Sequence, residues 1–363
     1  MRIRRLIALG LIGLSLTLGL VLQGASAQAA TAYVDGISDQ SLPVWDGGFS
    51  SSYFAGLFQN GWVGGPPSHI TLARYVVQWN VMSDEYPVYR SEFESWLRDI
   101  ASIGLTPDVA LTSYTDKYPA SPGEYRVQLE KILDRAEAIG RPIRYLEAWN
   151  EPNNQGHESA AAAAHFTNSA STTCEQGYGC TVIAGNLEDN PNLPTYEAEY
   201  IKNLNPLPII WGVHPYYSVE EMSKAPFLSF REHLPNKGAG EQIWFTEIAA
   251  RKCTDFDGHE VENGELGQAA RAGWLVNTLM AEAKPEHVFY YEFLLGAGRA
   301  PSCTSEGADG ALYVPSVDPN APDRPRLAAS YIWGGSELWG YPGGAFAANA
   351  EQATLTGGVY LGF

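Results

Sequence analysis

Two glutamates 96 residues apart, Glu151 and Glu247, each close an apolar run: Ile143-Arg-Tyr-Leu-Glu-Ala-Trp-Asn-Glu-Pro152 and Gln242-Ile-Trp-Phe-Thr-Glu247. Desolvating an ionised carboxylate is costly unless it is paired or put to use, so an acid at the end of a buried strand asks for a role. Cleavage of a glycosidic bond needs such a pair: one carboxylic acid protonates the leaving oxygen and one carboxylate attacks the anomeric carbon, about 5–5.5 Å apart in retaining enzymes. The two environments must differ. Arg74, with Tyr216 or His214, is expected to hold Glu247 ionised, while apolar Trp149 and Pro152 are expected to push the pKa of Glu151 upward. Taken alone, Asn150-Glu151-Pro152 also reads as a polar turn, because Asn and Pro are ordinary turn residues.

The elements that would position these acids alternate. Strand-like runs fall at 32–36, 70–79, 107–112, 143–149, 181–186, 209–213, 242–246 and 287–293. Between them, apolar residues recur at three- and four-residue spacing: Phe93, Trp96, Leu97 and Ile100 in one stretch, and Val127, Leu129, Ile132, Leu133 and Ala136 in the next. Gly104 and Gly140 stand where helix C-caps want them. Further helices are expected at 158–172, 195–204, 219–234, 267–283 and 325–337. Eight strand–helix units predict an α/β fold, a single-domain (β/α)₈ TIM barrel over 31–339, followed by a tail over 340–363 that packs on the barrel or frays. A doubly wound sheet shares the alternation, but no Gly-x-Gly-x-x-Gly follows any strand, which weakens its dinucleotide-binding version.

Working residues of a barrel gather at the C-terminal strand ends. Strand two carries Arg74 and ends Gln78-Trp79-Asn80; strand six ends His214-Pro-Tyr216-Tyr217; strand seven runs through Trp244 to Glu247; strand eight carries Tyr290-Tyr291-Glu292. The candidate catalytic residues are Glu151 and Glu247. The candidate substrate-binding residues are Arg74, Trp79, Asn150, His214, Tyr216, Trp244, Tyr291 and Glu292. Each has a plainer reading. Arg74 would balance an inward-facing Glu147, His214 would be a satisfied structural histidine, Glu292 would be solvated or bind hydroxyls, and aromatics such as Trp45, Trp62, Tyr114 and Tyr118 would belong to the core.

The first thirty of the 363 residues begin Met-Arg-Ile-Arg-Arg, continue as an apolar run from Leu6 to Leu22 and end in small residues near Ala25-Ser26-Ala27. That is the pattern of a secretory signal peptide, too short for a spanning helix. Setting aside its three arginines leaves 20 basic against 41 acidic residues, a net charge near −21. Nucleic acid and anionic membranes are poor partners for such a field, and a neutral sugar suits it. Four cysteines in an exported chain read as two disulfides, Cys174 with Cys180 and Cys253 with Cys303, though four allow three pairings. No Cys-x-x-Cys or His-x-x-x-His spacing supports a metal, and no cofactor is expected.

Taken together, these strand ends resemble clan A of the glycoside hydrolases, whose barrels carry Asn-Glu at the end of strand four and a lone Glu at the end of strand seven. The resemblance covers the mature chain in order. It implies Glu151 as general acid/base, Asn150 as the amide contacting the sugar 2-hydroxyl, and Glu247 as nucleophile. Arg74, five residues before Trp79, looks like the strand-two arginine of family five, and His214-Pro-Tyr216 looks like its strand-six His-x-Tyr; family thirty-nine is similar too. Many clan members place a Trp on strand eight beneath the scissile sugar, where this chain offers Tyr290, Tyr291 and Phe293. The expectation is a secreted, monomeric, metal-independent retaining glycosidase acting on a β-linked glycan. Its rivals are a transglycosidase using the same site, a catalytically inactive carbohydrate-binding barrel, and a metal-dependent hydrolase.

Overall fold

Short parallel strands that bury both faces must be covered by helices outside and packed side chains inside. The computed structural model describes residues 34–39, 70–115, 117–154, 158–251 and 264–292, with 313–314, 324–325, 328 and 332. The leader, Trp45, Trp62, Cys253, Phe293, Cys303, the tail and most of the helix expected at 325–337 lie outside the described residues.

Eight parallel strands close on themselves in chain order: β1 (Gly36–Ser38), β2 (Leu72–Gln78), β3 (Thr106–Thr112), β4 (Tyr145–Glu147), β5 (Thr181–Glu188), β6 (Ile210–His214), β7 (Gln242–Ile248) and β8 (Val288–Tyr291). Closure is made by β1 against β8, with Ser38 opposite Tyr291. This settles the barrel against the doubly wound sheet, whose edges would stay open. A two-stranded antiparallel pair, β9 (Tyr313–Val314) and β10 (Arg324–Pro325), follows.

The helices follow their sequence signals where packing allows. α1 (Pro87–Ser102) buries Phe93, Trp96, Leu97 and Ile100. α2 (Pro122–Ala138) starts at Ser121, whose hydroxyl accepts from the Glu124 amide at 3.1 Å, while the Glu124 carboxylate takes the Ala120 amide at 2.7 Å. Val127 is 46% exposed, and Tyr125 takes its expected place on the buried face, donating its hydroxyl to the Ala148 carbonyl. α3 (Ala160–Thr173) is capped by Ser159, and α4 (Leu193–Asn203) follows β5. The helix expected at 219–234 is two, α5 (Tyr216–Glu220) and α6 (Ala225–His233), because Met222 turns to φ +46° and Pro226 begins the second. The one expected at 267–283 is α7 (Gly264–Trp274), a π-helical turn at Leu275–Leu279, and α8 (Met280–Ala283).

Inside the barrel, chemistry changes along the axis. Leu72, Tyr145, Ile183, Ile210, Trp244 and Phe289 pack together at the N-terminal end, each large side chain contributing about 1.5–3 kcal/mol on burial. Above them lie Arg74, Asp108 and Glu147, all fully buried. Higher still, the strand ends open on Glu151, His214 and Glu247. Among the described residues, no helix is long and apolar enough to cross a membrane.

Candidate active site

Glu151 is placed by two neighbouring strands. The chain leaves β4 with the Asn150 amide on the Leu111 carbonyl at 2.7 Å and the Glu151 amide on the Asn186 carbonyl at 3.1 Å. Asn186 offers that carbonyl because β5 bulges there, with Gly185 at φ +86° and Asn186 at φ +54°. Glu151 itself sits at φ +45°, a left-handed conformation that costs about 1–3 kcal/mol and persists where the surroundings enforce it. Asn153 ties the same loop to β5 by donating to the Glu188 carbonyl at 2.7 Å and accepting its amide at 2.9 Å.

The Glu151 carboxylate meets His214 Nδ1 at 2.8 Å and Asn154 Nδ2 at 3.3 Å. Burial by itself would raise its pKa, but the His214 bond and charge, then Asn154 and Arg74, outweigh burial and bring it down to about 2. The expected upward shift is therefore reversed. Trp149, invoked to cause it, turns away to pack on Phe166 and Tyr118 at 5.2 and 6.0 Å between ring centres.

Glu247 is gripped from two sides. Arg74 Nη1 donates to Oε2 at 2.5 Å and the Tyr216 hydroxyl donates to Oε1 at 2.8 Å. Tyr216 is held because α5 begins directly after β6 and Asp189 accepts from the Tyr217 and Ser218 amides at 2.8 and 3.0 Å. Arg251 lies over the Tyr216 ring, 4.5 Å from its centre. Arg74 also binds Glu147 in a two-pronged pair at 2.7 and 2.8 Å, and Asn150 Oδ1 at 2.6 Å. Arg74 thus balances Glu147, as its plain reading expects, and meets Glu247 as well. Burial works against its cation, but Glu147 and Glu247 override burial and raise its pKa.

One oxygen each of Glu151 and Glu247 and one nitrogen of His214 lie within 4.8 Å of one another. Such a trio has the donors for a divalent cation. Here each carboxylate already accepts two hydrogen bonds, and the Arg74 cation abuts Glu247, so the protein supplies the positive charge.

Arg74, His214 and Tyr216 meet the two glutamates, and Asn150 is joined to them through Arg74. Tyr291 ends β8, partly buried and opposite Ser38. Glu292 is only 3% exposed, so it is not a solvated rim residue. Two tryptophans are corrections. Trp244 is 1% exposed, at the apolar end of the barrel against Tyr145 and His287; three residues before Glu247, its ring lies well below the mouth. Trp79 is 3% exposed and donates Nε1 to the Lys117 carbonyl, anchoring the loop after β3. Ser38, which accepts from Arg74 at 3.1 Å, was hidden in a three-residue strand. Glu188 was missed because the β5 bulge broke the alternation two residues before it. Burial and the nearby Glu151 push its pKa up to about 7. The Cys174–Cys180 disulfide is present, with Cα atoms 4.8 Å apart.

No family model matches the sequence, and no curated protein matches it. Among solved structures, the chain is similar to the endo-β1,6-glucanase BT3312, with a TM-score of 0.59 at 14% identity over 83% of this chain and 74% of that one. It is similar to AbfB, a family 51 α-L-arabinofuranosidase from Bifidobacterium longum, at 0.52 and 12% over 83% and 72%. It is also similar to a glycoside hydrolase family 17 β-1,3-glucanosyltransferase from Rhizomucor miehei, at 0.51 and 12% over 77% and 93%. At these identities the likeness is one of fold.

Proposed function

We propose that this protein is an exported retaining glycoside hydrolase acting on a β-linked glycan, with Glu247 as nucleophile and Glu151 as general acid/base. The observation that carries the reading is the short span between the two carboxylates, within 4.8 Å oxygen to oxygen. Retaining enzymes hold the pair about 5–5.5 Å apart, whereas inverting enzymes leave about 6.5–9.5 Å for a water. The fold shared with an endo-β1,6-glucanase agrees with a β-glycan substrate, and the leader pattern with the Cys174–Cys180 disulfide supports export.

In this mechanism Glu247 attacks the anomeric carbon while the Glu151–His214 pair delivers a proton to the departing oxygen. A Glu247 ester and a free alcohol result. Esterification removes the Glu247 charge, and the Glu151 carboxylate takes a proton from water as that water attacks the anomeric carbon and breaks its bond to Glu247. The sugar is released with its configuration retained and Glu247 is regenerated. Arg74 and Tyr216 aim the attacking oxygen, and Asn150, fixed by Arg74, faces the sugar beside the nucleophile.

The test is a polysaccharide screen with products sized and their anomeric configuration followed by NMR. Glu151→Gln and Glu247→Gln are each expected to lose about 10²–10⁴ in kcat on whichever glycan is cleaved. Wild-type activity in either variant, or products of inverted configuration, would refute the mechanism. Products longer than the starting oligosaccharide would instead identify a sugar as the acceptor.

A further inference from the structure

A guanidinium has five N–H donors, and in Arg74 all five are used: Nε on Glu147 Oε1, Nη2 on Glu147 Oε2 and Asn150 Oδ1, Nη1 on Ser38 Oγ and Glu247 Oε2. Asp108 is the register partner of Arg74 across β2 and β3 and is fully buried, yet none of those donors turns to it. Among the described residues no side-chain N–H or hydroxyl reaches either of its oxygens. Its carboxyl faces instead the carboxyl of Glu147, which lies two residues along β4 from Tyr145, the register partner of Asp108 on that side.

Two buried carboxyls in contact do not both ionise. Arg74 already neutralises Glu147, so the shared proton belongs to Asp108. Burial first and Glu147 second raise the Asp108 pKa well above the carboxylate range, against the opposing pull of Arg74. The groups facing it are Arg74 from β2 and Tyr145 and Glu147 from β4.

We propose that Asp108 is a positioning residue whose carboxylic acid donates to Glu147 and so fixes the plane in which Glu147 grips Arg74 and Arg74 presents Nη1 to Glu247. The inference rests on Glu247 being the nucleophile for its catalytic consequence, and not for the protonation of Asp108. A neutral Asp108 leaves Arg74, Glu147 and Glu247 with one net negative charge; an ionised one would add a second and compete for the guanidinium.

Infrared difference spectra at neutral pH, wild type minus Asp108→Asn, test the protonation directly. The carbonyl stretch of a protonated buried carboxyl is expected in wild type and absent from the variant, and its absence from wild type overturns the proposal. For catalysis, Asp108→Ala is expected to lower kcat about tenfold to a hundredfold with KM nearly unchanged, as small misplacements of a catalytic group do. Asp108→Asn restores a neutral donor to Glu147 and is expected to recover most of that loss. An unimpaired Asp108→Ala, or an Asp108→Asn as damaged as it, overturns the positioning role. If wild type cleaves no glycan, the proposed reaction fails while the infrared arm still decides the proton.

Discussion

At the scale of single residues, the partner of a carboxylate outweighs its apolar neighbours. Glu151 is half-buried beside Pro152, and desolvation alone would favour the neutral acid, but one imidazole at 2.8 Å reverses the sign. The depressed pKa has a consequence for stability. An acid whose folded pKa lies below its unfolded value contributes stability that is present above the unfolded value and is lost as pH falls through the folded one. For Glu151 that window runs from 4.5 down to about 2. His214→Ala is expected to cost about 1–3 kcal/mol near neutral pH, the usual penalty for stranding a buried partner. Its deficit against wild type should shrink as pH falls through the window. Urea unfolding at a series of pH values measures this, and a deficit independent of pH would remove His214 as the cause.

At the scale of elements, the site depends on how β5, β6 and β7 cross. Asn186 Oδ1 accepts from the Thr246 hydroxyl at 3.0 Å, and this bond passes over Gly212 on the intervening strand. A Cβ on Gly212 would stand 1.9 Å from Asn186 Oδ1 and 2.8 Å from Thr246 Oγ1. Gly212→Ala is therefore expected to destabilise the barrel by about 1–3 kcal/mol through overpacking, and to lower kcat because Asn186 also carries the Glu151 amide. Gly123→Ala in α2 is the control: its Cβ would meet only Ser121 Oγ at 3.7 Å, and alanine stabilises a helix interior by about 0.5–1 kcal/mol relative to glycine. Thermal melts and initial rates on the two variants separate packing from reaction.

At the scale of the whole molecule, the barrel divides its labour between two ends. The C-terminal end carries the paired glutamates; the N-terminal end carries the apolar plug of Trp244, Phe289 and Tyr145 and the disulfide where α3 leads into β5. Replacing both Cys174 and Cys180 by serine is expected to lower stability by about 2–3 kcal/mol, since the bridge closes a short loop. Activity should hold within about twofold, because residues at that end act on stability rather than chemistry. Denaturant unfolding alongside kcat checks this, and a large fall in kcat with unchanged stability would contradict the division.

The sequence by itself determined the strand–helix alternation and the order of the strand-end acids, because burial on a period of two or 3.6 residues is written locally. It therefore pointed to the barrel, to Glu151 and Glu247, and to Arg74, Asn150, His214 and Tyr216 around them. It could not say which way a tryptophan near a strand end faces: Trp79 and Trp244 carry the same composition signal as a sugar platform, and only tertiary contact buried both, Trp244 inside the barrel and Trp79 against the loop after β3. Nor could it assign charge states. Those of Glu151 and Asp108 follow from which atoms of β2, β3, β4 and β6 meet across the interior, a matter of a few ångströms fixed by register and by the β5 bulge. Local pattern chose the residues, and tertiary contact decided which of them hold protons.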